Sequence, residues 1–110
     1  MDVFVLGRKQ TVPDEVRSLA EAKVARLARM APVLDRAEIR LTEGRDTSGG
    51  ARQVCEVTMT GHGHTVRARA VAHDAPVAVD LVVGKLEHQV ERLKGKLVGR
   101  SHPRHPRPAT

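Results

Sequence analysis

The stretch DAPVAVDLVVGKLEHQVERLKGKLVGR, residues 74–100, predicts one long amphipathic helix. At about 100° per residue, its apolar side chains fall within roughly one third of the helix circumference, the width of a face that packs on a sheet. Asp74 is placed to cap the helix N-terminus, and Pro76 stands in the first turn. The expected core-facing residues are Val79, Val82, Val83, Leu86, Val90, Leu93 and Leu97.

The two flanks of this apolar stripe carry opposite charges. One flank is basic and consists of Lys85, His88, Arg92 and Lys96. The other is acidic and consists of Asp80, Glu87 and Glu91. A basic flank is often no more than a solvated helix face, but no acid follows Glu91 in the chain. We therefore favour a binding surface for an anionic partner and keep the solvated face as the alternative.

The net charge of the chain is confined to its end. All 13 acids lie before residue 92, where they balance an equal number of Lys and Arg, so the formal net charge of +6 falls on residues 92–110. A basic end on a neutral domain points to a polyanion such as nucleic acid, with an anionic membrane surface as the weaker interpretation. The only aromatic residue is Phe4. Base stacking is therefore essentially unavailable, which favours recognition through backbone charge and shape.

Length and composition bound the class of protein. A chain of 110 residues suits a single domain with an ordinary hydrophobic core. The single Cys55 excludes an internal disulfide and is most simply a strand residue of the core. No secretory signal opens the chain, and no apolar run approaches the roughly 18 residues of a spanning helix. We expect a cytoplasmic protein that does not enter a membrane.

Five segments before the long helix have a regular pattern. The apolar run at residues 2–7 suits a strand buried on both faces. Pro13 and the two acids that follow it begin a predicted helix that ends near Met30. Three later segments have the pattern of strands. The last two strands are joined across Gly61-His62-Gly63, a hairpin signal, and a polar loop is expected at residues 43–51. The predicted strands are residues 2–7, 37–42, 52–60 and 64–72.

The order β-α-β-β-β-α predicts an α+β fold with a four-stranded mixed sheet and two helices packed on one face. The first strand would pair in parallel with the second through a right-handed crossover helix. Residues 1–100 form the predicted domain. Residues 101–110 contain three prolines and no core residue, so we expect a disordered tail.

Lys23 interrupts the apolar stripe of the first helix. The simpler interpretation is a lysine whose stem packs while its ammonium reaches solvent. The alternative is a positive charge held in the groove between the two helices for a phosphate.

Three segments carry a resemblance to a known family. They are A-K-x-x-R-L at residues 22–27, VRARAVAHD at residues 66–74, and A-x-D-x-x-x-x-K-L-x-x-Q at residues 78–89, followed by the basic run RLKGK at residues 92–96. In their order and spacing they resemble the ribosome hibernation promoting factor family, once described as sigma-54 modulation proteins. The resemblance covers about residues 3–97 and implies a fold similar to that of double-stranded-RNA-binding domains.

The resemblance implies a ribosome hibernation factor without enzymatic activity or cofactor. Such a protein binds the small ribosomal subunit, its 16S rRNA and neighbouring ribosomal proteins, in the channel used by mRNA and tRNA, and inhibits translation under stress or in stationary phase. The residues expected to bind RNA are Lys23, Arg26, Lys85, His88, Arg92, Lys94, Lys96 and Arg100.

Other functions have weaker support in the sequence. The H-x-H at His62 and His64 lacks the converging ligands and supporting hydrogen bonds of a metal site. No motif supplies a base for a nucleophile, and no phosphate-binding glycine loop is present, so neither a catalytic site nor a small-molecule substrate is expected. The alternative that stays open is a small regulator that binds other nucleic acids or a transcription factor and does not act on the ribosome.

Overall fold

The computed structural model describes residues 1–101 and has the predicted order of elements. Of the predicted tail, residues 101–110, Ser101 is the last residue of a helix, and residues 102–110 lie outside the described residues. The strands pair in the order β1-β2-β3-β4. The elements are β1 (Asp2–Arg8), α1 (Asp14–Met30), β2 (Arg36–Arg45), β3 (Ala51–Gly61), β4 (His64–Ala72) and α2 (Ala75–Ser101).

The sheet is mixed, as predicted. β1 runs parallel to β2, and its crossover passes through α1. β2, β3 and β4 pair in antiparallel fashion. Both helices face the same side of the sheet and contact each other, so the α+β prediction is confirmed.

The core lies between the sheet and the two helices. In α2 the predicted stripe is buried from Val79 to Leu93, and Leu97 is half-buried. The strands supply alternating inward residues, and those of β4 include the small Ala68 and Ala70. Small side chains let a helix approach the sheet closely, which suits the valine-rich face of α2. As predicted, Asp74 caps α2, because its carboxylate accepts a hydrogen bond from the Val77 N–H at 2.9 Å.

The prediction that β1 is buried on both faces is wrong. Val5 is buried, but Phe4 and Leu6 are 42% and 43% exposed. The helices cover one face of the sheet only, and β1 is an edge strand, so every second side chain points to the open face, the one opposite the helices. A short apolar run does not show by itself whether the second face is covered.

The predicted loop between β2 and β3 is too long, because β2 continues to Arg45 and β3 begins at Ala51. The five residues between them form a tight turn around Asp46. Its carboxylate accepts hydrogen bonds from the hydroxyl and N–H of Ser48 and from the N–H of Gly50. The aspartate side chain thus accepts hydrogen bonds from N–H groups that have no strand partner within the turn.

The β3–β4 hairpin closes on two residues with left-handed backbone, His62 at φ 51° and Gly63 at φ 80°. This is the geometry of a type I′ turn, whose twist matches that of the paired strands. The preceding Gly61 packs against the chain before β2: an added Cβ would lie 2.0 Å from the Val33 carbonyl oxygen. The glycine therefore fixes how the hairpin meets the rest of the sheet.

Helix side chains form hydrogen bonds to both free edges of the sheet. On β4, the Gln89 side chain accepts from the Arg67 N–H and donates to the Arg67 carbonyl, and Lys85 Nζ donates to the Arg69 carbonyl at 2.8 Å. On β1, Arg17 donates to the Val5 carbonyl at 3.0 Å. Gln89 thus occupies the position that a neighbouring strand would take. Exposed edges invite pairing with other chains, and these side chains obstruct it.

Replacing Gln89 by Ala tests this role. We expect Gln89→Ala to self-associate at lower protein concentration than the wild type, because the Arg67 edge becomes available for strand pairing. The loss of hydrogen bonds at this exposed edge should lower the free energy of unfolding by about 1 kcal/mol. Sedimentation equilibrium and chemical denaturation measure the two effects. His88→Ala, on the adjacent exposed position, is the control; an association constant of Gln89→Ala equal to that of the control contradicts the assignment.

Candidate nucleic-acid interface

The acidic flank of α2 faces α1 and pairs with two of the predicted RNA-binding residues. Lys23 Nζ lies 3.0 Å from Asp80 Oδ1, and Arg26 lies 3.4 Å from Glu87. The Lys23 side chain is 33% exposed. Its charge does reach the groove between the helices, but a carboxylate of the same chain already balances it there. Both interpretations of Lys23 from the sequence omitted this pair.

The basic flank of α2 lies on the opposite side, over the free edge of β4. Lys85, His88, Arg92 and Lys96 are all exposed. Lys85 is tied to the edge through the Arg69 carbonyl, which leaves its remaining donors available. The rotation of α2 therefore sends its acids to α1 and its bases to the sheet edge.

Lys94 does not extend this flank. Lys94 is exposed, but it follows Glu87 by two turns and so lies on the side of the stripe that faces α1. The Arg100 side chain lies outside the described residues. The predicted RNA-binding residues whose side chains are described thus do not form one cluster.

Sequence reasoning missed two arginines at the same edge. Arg67 and Arg69 of β4 are exposed and project from the open face of the sheet. The alternation of VRARA at residues 66–70 places them opposite the core, and this pattern is the signal that identifies them. With the basic flank they form what we call the α2–β4 basic edge, defined as Arg67, Arg69, Lys85, His88, Arg92 and Lys96.

A cavity of about 290 Å³ lies where this edge meets the hairpin. Among the residues that the structure describes, the cations at its wall are Arg92 and Lys96, and no carboxylate lines it. Its lining residues are Gly63, His64, Thr65, Val66, Gln89, Arg92, Leu93 and Lys96.

Phe4 lies on β1, at the other edge of the sheet. Its ring is covered by the Arg36 guanidinium, 4.4 Å from the ring centroid. The one aromatic side chain is thus remote from the basic edge and already engaged in a cation–π contact. This arrangement favours recognition of phosphates and shape over recognition of bases.

Cys55 has the environment of a structural residue. It is fully buried, as expected. Burial, reinforced by the charge of Glu56, raises the pKa of the Cys55 thiol to about 12. The thiol therefore stays protonated and is a poor nucleophile.

The histidines of the hairpin have separate surroundings. His62 Nδ1 lies 2.9 Å from the Val33 carbonyl oxygen, whereas His64 lines the cavity. Within the described part of the chain, no three His, Cys, Asp or Glu side chains are grouped so that they could hold a metal ion. Among the same residues, no helix is long and apolar enough to cross a membrane.

Comparison with known proteins decides the family. The profile of the family described as "Sigma 54 modulation protein / S30EA ribosomal protein" matches residues 3–98. The chain belongs to this family. The resemblance to ribosome hibernation promoting factors that the sequence motifs indicate is therefore confirmed.

Individual relatives agree with this assignment. The chain is 28% identical over 106 residues to the "Ribosome hibernation promoting factor" of Azotobacter vinelandii, covering 96% of this chain and 94% of that protein. It is similar to the crystal structure of the Thermus thermophilus Protein Y N-terminal domain, with 31% identity, a TM-score of 0.68, and coverage of 84% and 99% of the two chains. A ribosomal subunit interface protein from Coxiella burnetii has the same fold, with a TM-score of 0.74 at 22% identity over 86% of this chain and 99% of that one.

The ion pair of Lys23 with Asp80 should contribute little to stability. Both side chains are partly exposed, and exposed pairs contribute less than about 1 kcal/mol. We expect Lys23→Met to leave the free energy of unfolding within about 1 kcal/mol of the wild type. A double-mutant cycle with Asp80→Asn, measured by chemical denaturation, gives the coupling energy directly. A coupling above about 2 kcal/mol would show that the pair is structural.

Proposed function

We propose that this protein binds the small ribosomal subunit in the channel used by mRNA and tRNA and inhibits translation under stress or in stationary phase. Family membership supports a role at the ribosome, and the names of the relatives in Azotobacter vinelandii and Coxiella burnetii refer to ribosome hibernation and the subunit interface. The partner is then the 16S rRNA with neighbouring ribosomal proteins, and the protein acts in the cytoplasm.

The observation that carries this proposal is the separation of charge on α2. Asp80 and Glu87 are paired with α1, whereas Arg92 and Lys96 face solvent beside a cavity without carboxylates. Unbalanced cations on a rigid helix attract a polyanion without first being ordered. Because no aromatic side chain accompanies them, the surface suits folded RNA, which is recognised mainly by its phosphates and its shape.

Inhibition in this proposal is steric and needs no chemical step. A folded domain held in the channel by phosphate contacts excludes mRNA and tRNA from the same space. The protein therefore acts by binding rather than by catalysis, and its effect on translation should follow its occupancy of the subunit. Release requires only dissociation, so the inhibition is reversible.

Charge reversal on α2 tests the proposal. We expect Arg92→Glu combined with Lys96→Glu to weaken binding to purified small subunits by at least about a hundredfold and to relieve inhibition in a translation assay, because two attractive contacts become repulsive. Arg8→Glu with Arg45→Glu is the matched control, since it changes the net charge equally at the end of the sheet remote from the hairpin.

Equal loss of binding in the two double variants would mean that net charge, and not the α2–β4 basic edge, governs the interaction. Co-sedimentation from stationary-phase cells separates the proposal from the alternative of a regulator acting elsewhere. A wild-type protein absent from ribosomal particles would contradict the proposed function.

The salt dependence of binding reports how many phosphates are contacted. Each one adds about 0.7 to 0.9 to the slope of log K against log salt. We expect Arg92→Gln with Lys96→Gln to reduce the slope for small-subunit binding by about 1.4 to 1.8. The measurement is a binding titration at several salt concentrations, and a slope equal to that of the wild type would show that these two residues do not contact phosphates.

A further inference from the structure

The cavity between the hairpin and α2 combines two cations with an available backbone donor. Arg92 and Lys96 come from α2, and His64 and Thr65 come from the first residues of β4. The two elements are held together next to the cavity by the Gln89 side chain, which is bonded to Arg67 through both its oxygen and its nitrogen. The walls of the cavity are therefore positioned before any ligand arrives.

The pattern of the β4 edge places the Thr65 N–H on this cavity. In an antiparallel edge strand, alternate residues direct their N–H and C=O groups away from the partner strand. Arg67 and Arg69 are of this kind, because Gln89 and Lys85 reach their main-chain groups. Thr65 stands two residues before Arg67 and has the same orientation. Gln89 and Lys85 cover the edge at Arg67 and Arg69, and the edge at Thr65 opens onto Arg92 and Lys96.

These groups together have the chemistry of an oxyanion site. A guanidinium, an ammonium and a main-chain N–H donate hydrogen bonds and accept none. Charge-assisted bonds of this type are the strong ones in phosphate recognition. The floor is apolar at Val66 and Leu93, which suits the sugar beside a phosphate better than a second charged group.

We propose that this cavity binds one phosphodiester group of an RNA backbone, with the Thr65 N–H, Arg92 and Lys96 as its donors. The proposal rests on the proposed function in taking RNA as the partner, and it adds a fixed anchoring point to a surface that otherwise attracts by charge alone. A fixed anchor gives the bound protein a defined register on the RNA, because phosphate contacts orient a protein without reading sequence.

A titration of the wild-type protein tests the cavity directly. Hexauridylate is added to ¹⁵N-labelled protein at constant ionic strength, and amide chemical shifts are followed. We expect the Thr65 and Gly63 amides to shift with one common binding curve. Shifts confined to other basic residues, with Thr65 unmoved, would overturn the proposal.

A proline substitution removes the donor without removing either cation. Thr65→Pro deletes an N–H that points away from β3, so the ladder of the sheet is retained. We expect it to weaken hexauridylate binding by about tenfold. Val71→Pro is the matched control, because Val71 has the same orientation at the far end of the edge. Equal affinities of the two folded variants would contradict the proposal.

Failure of the cavity to bind RNA can be distinguished from failure of the protein to bind the ribosome. Thr65 shifts with hexauridylate in a protein that does not bind small subunits would support the cavity and remove the ribosome as its partner. Small-subunit binding that is unchanged in Thr65→Pro, together with an unmoved Thr65 amide, would overturn the cavity and leave the proposed function standing. If Thr65→Pro does not fold, the wild-type titration decides alone.

Discussion

The rotation of α2 about its own axis determines which side chains of the helix are buried, which face α1 and which face the β4 edge. Its valine and leucine stripe fits β3 and β4, where small residues such as Ala68 and Ala70 leave room. Once that stripe is seated, each flank has only one possible neighbour. The acidic flank meets Lys23 and Arg26 of α1, and the other flank meets the free edge of β4. A rotation by one residue would bury charge and expose the stripe.

Polar contacts on both flanks of α2 specify its rotation. Hydrophobic burial is non-directional and would tolerate some rotation, whereas the two hydrogen bonds of Gln89 to Arg67 are directional. They also obstruct an edge that could pair with another chain. The same packing of α2 places Arg92 and Lys96 in a cavity that no carboxylate of the described residues lines. Fold specificity and the proposed RNA surface thus have one structural origin.

The sequence predicted the parts of the structure that depend on local pattern. Periodicity and turn residues predict the stripe of α2, its Asp74 cap, the hairpin and the order of elements. The structure confirms all four. The sequence did not predict contacts between distant segments. The pairing of Lys23 with Asp80 requires the relative placement of two helices, and the exposure of Phe4 and Leu6 requires knowing that one sheet face is open. Lys94 was grouped with Arg92 and Lys96 by position in the chain, although helical rotation separates it from them.

Site-specific cross-linking on purified small subunits shows which surface of the protein contacts rRNA. A photoreactive residue at His88 reports contacts of the α2–β4 basic edge, and one at Thr42, which lies on the open face of β2, reports contacts of the opposite surface. We expect cross-links to 16S rRNA from position 88 and few from position 42. Strong cross-linking to rRNA from position 42 with none from position 88 would contradict the proposed role of the α2–β4 basic edge.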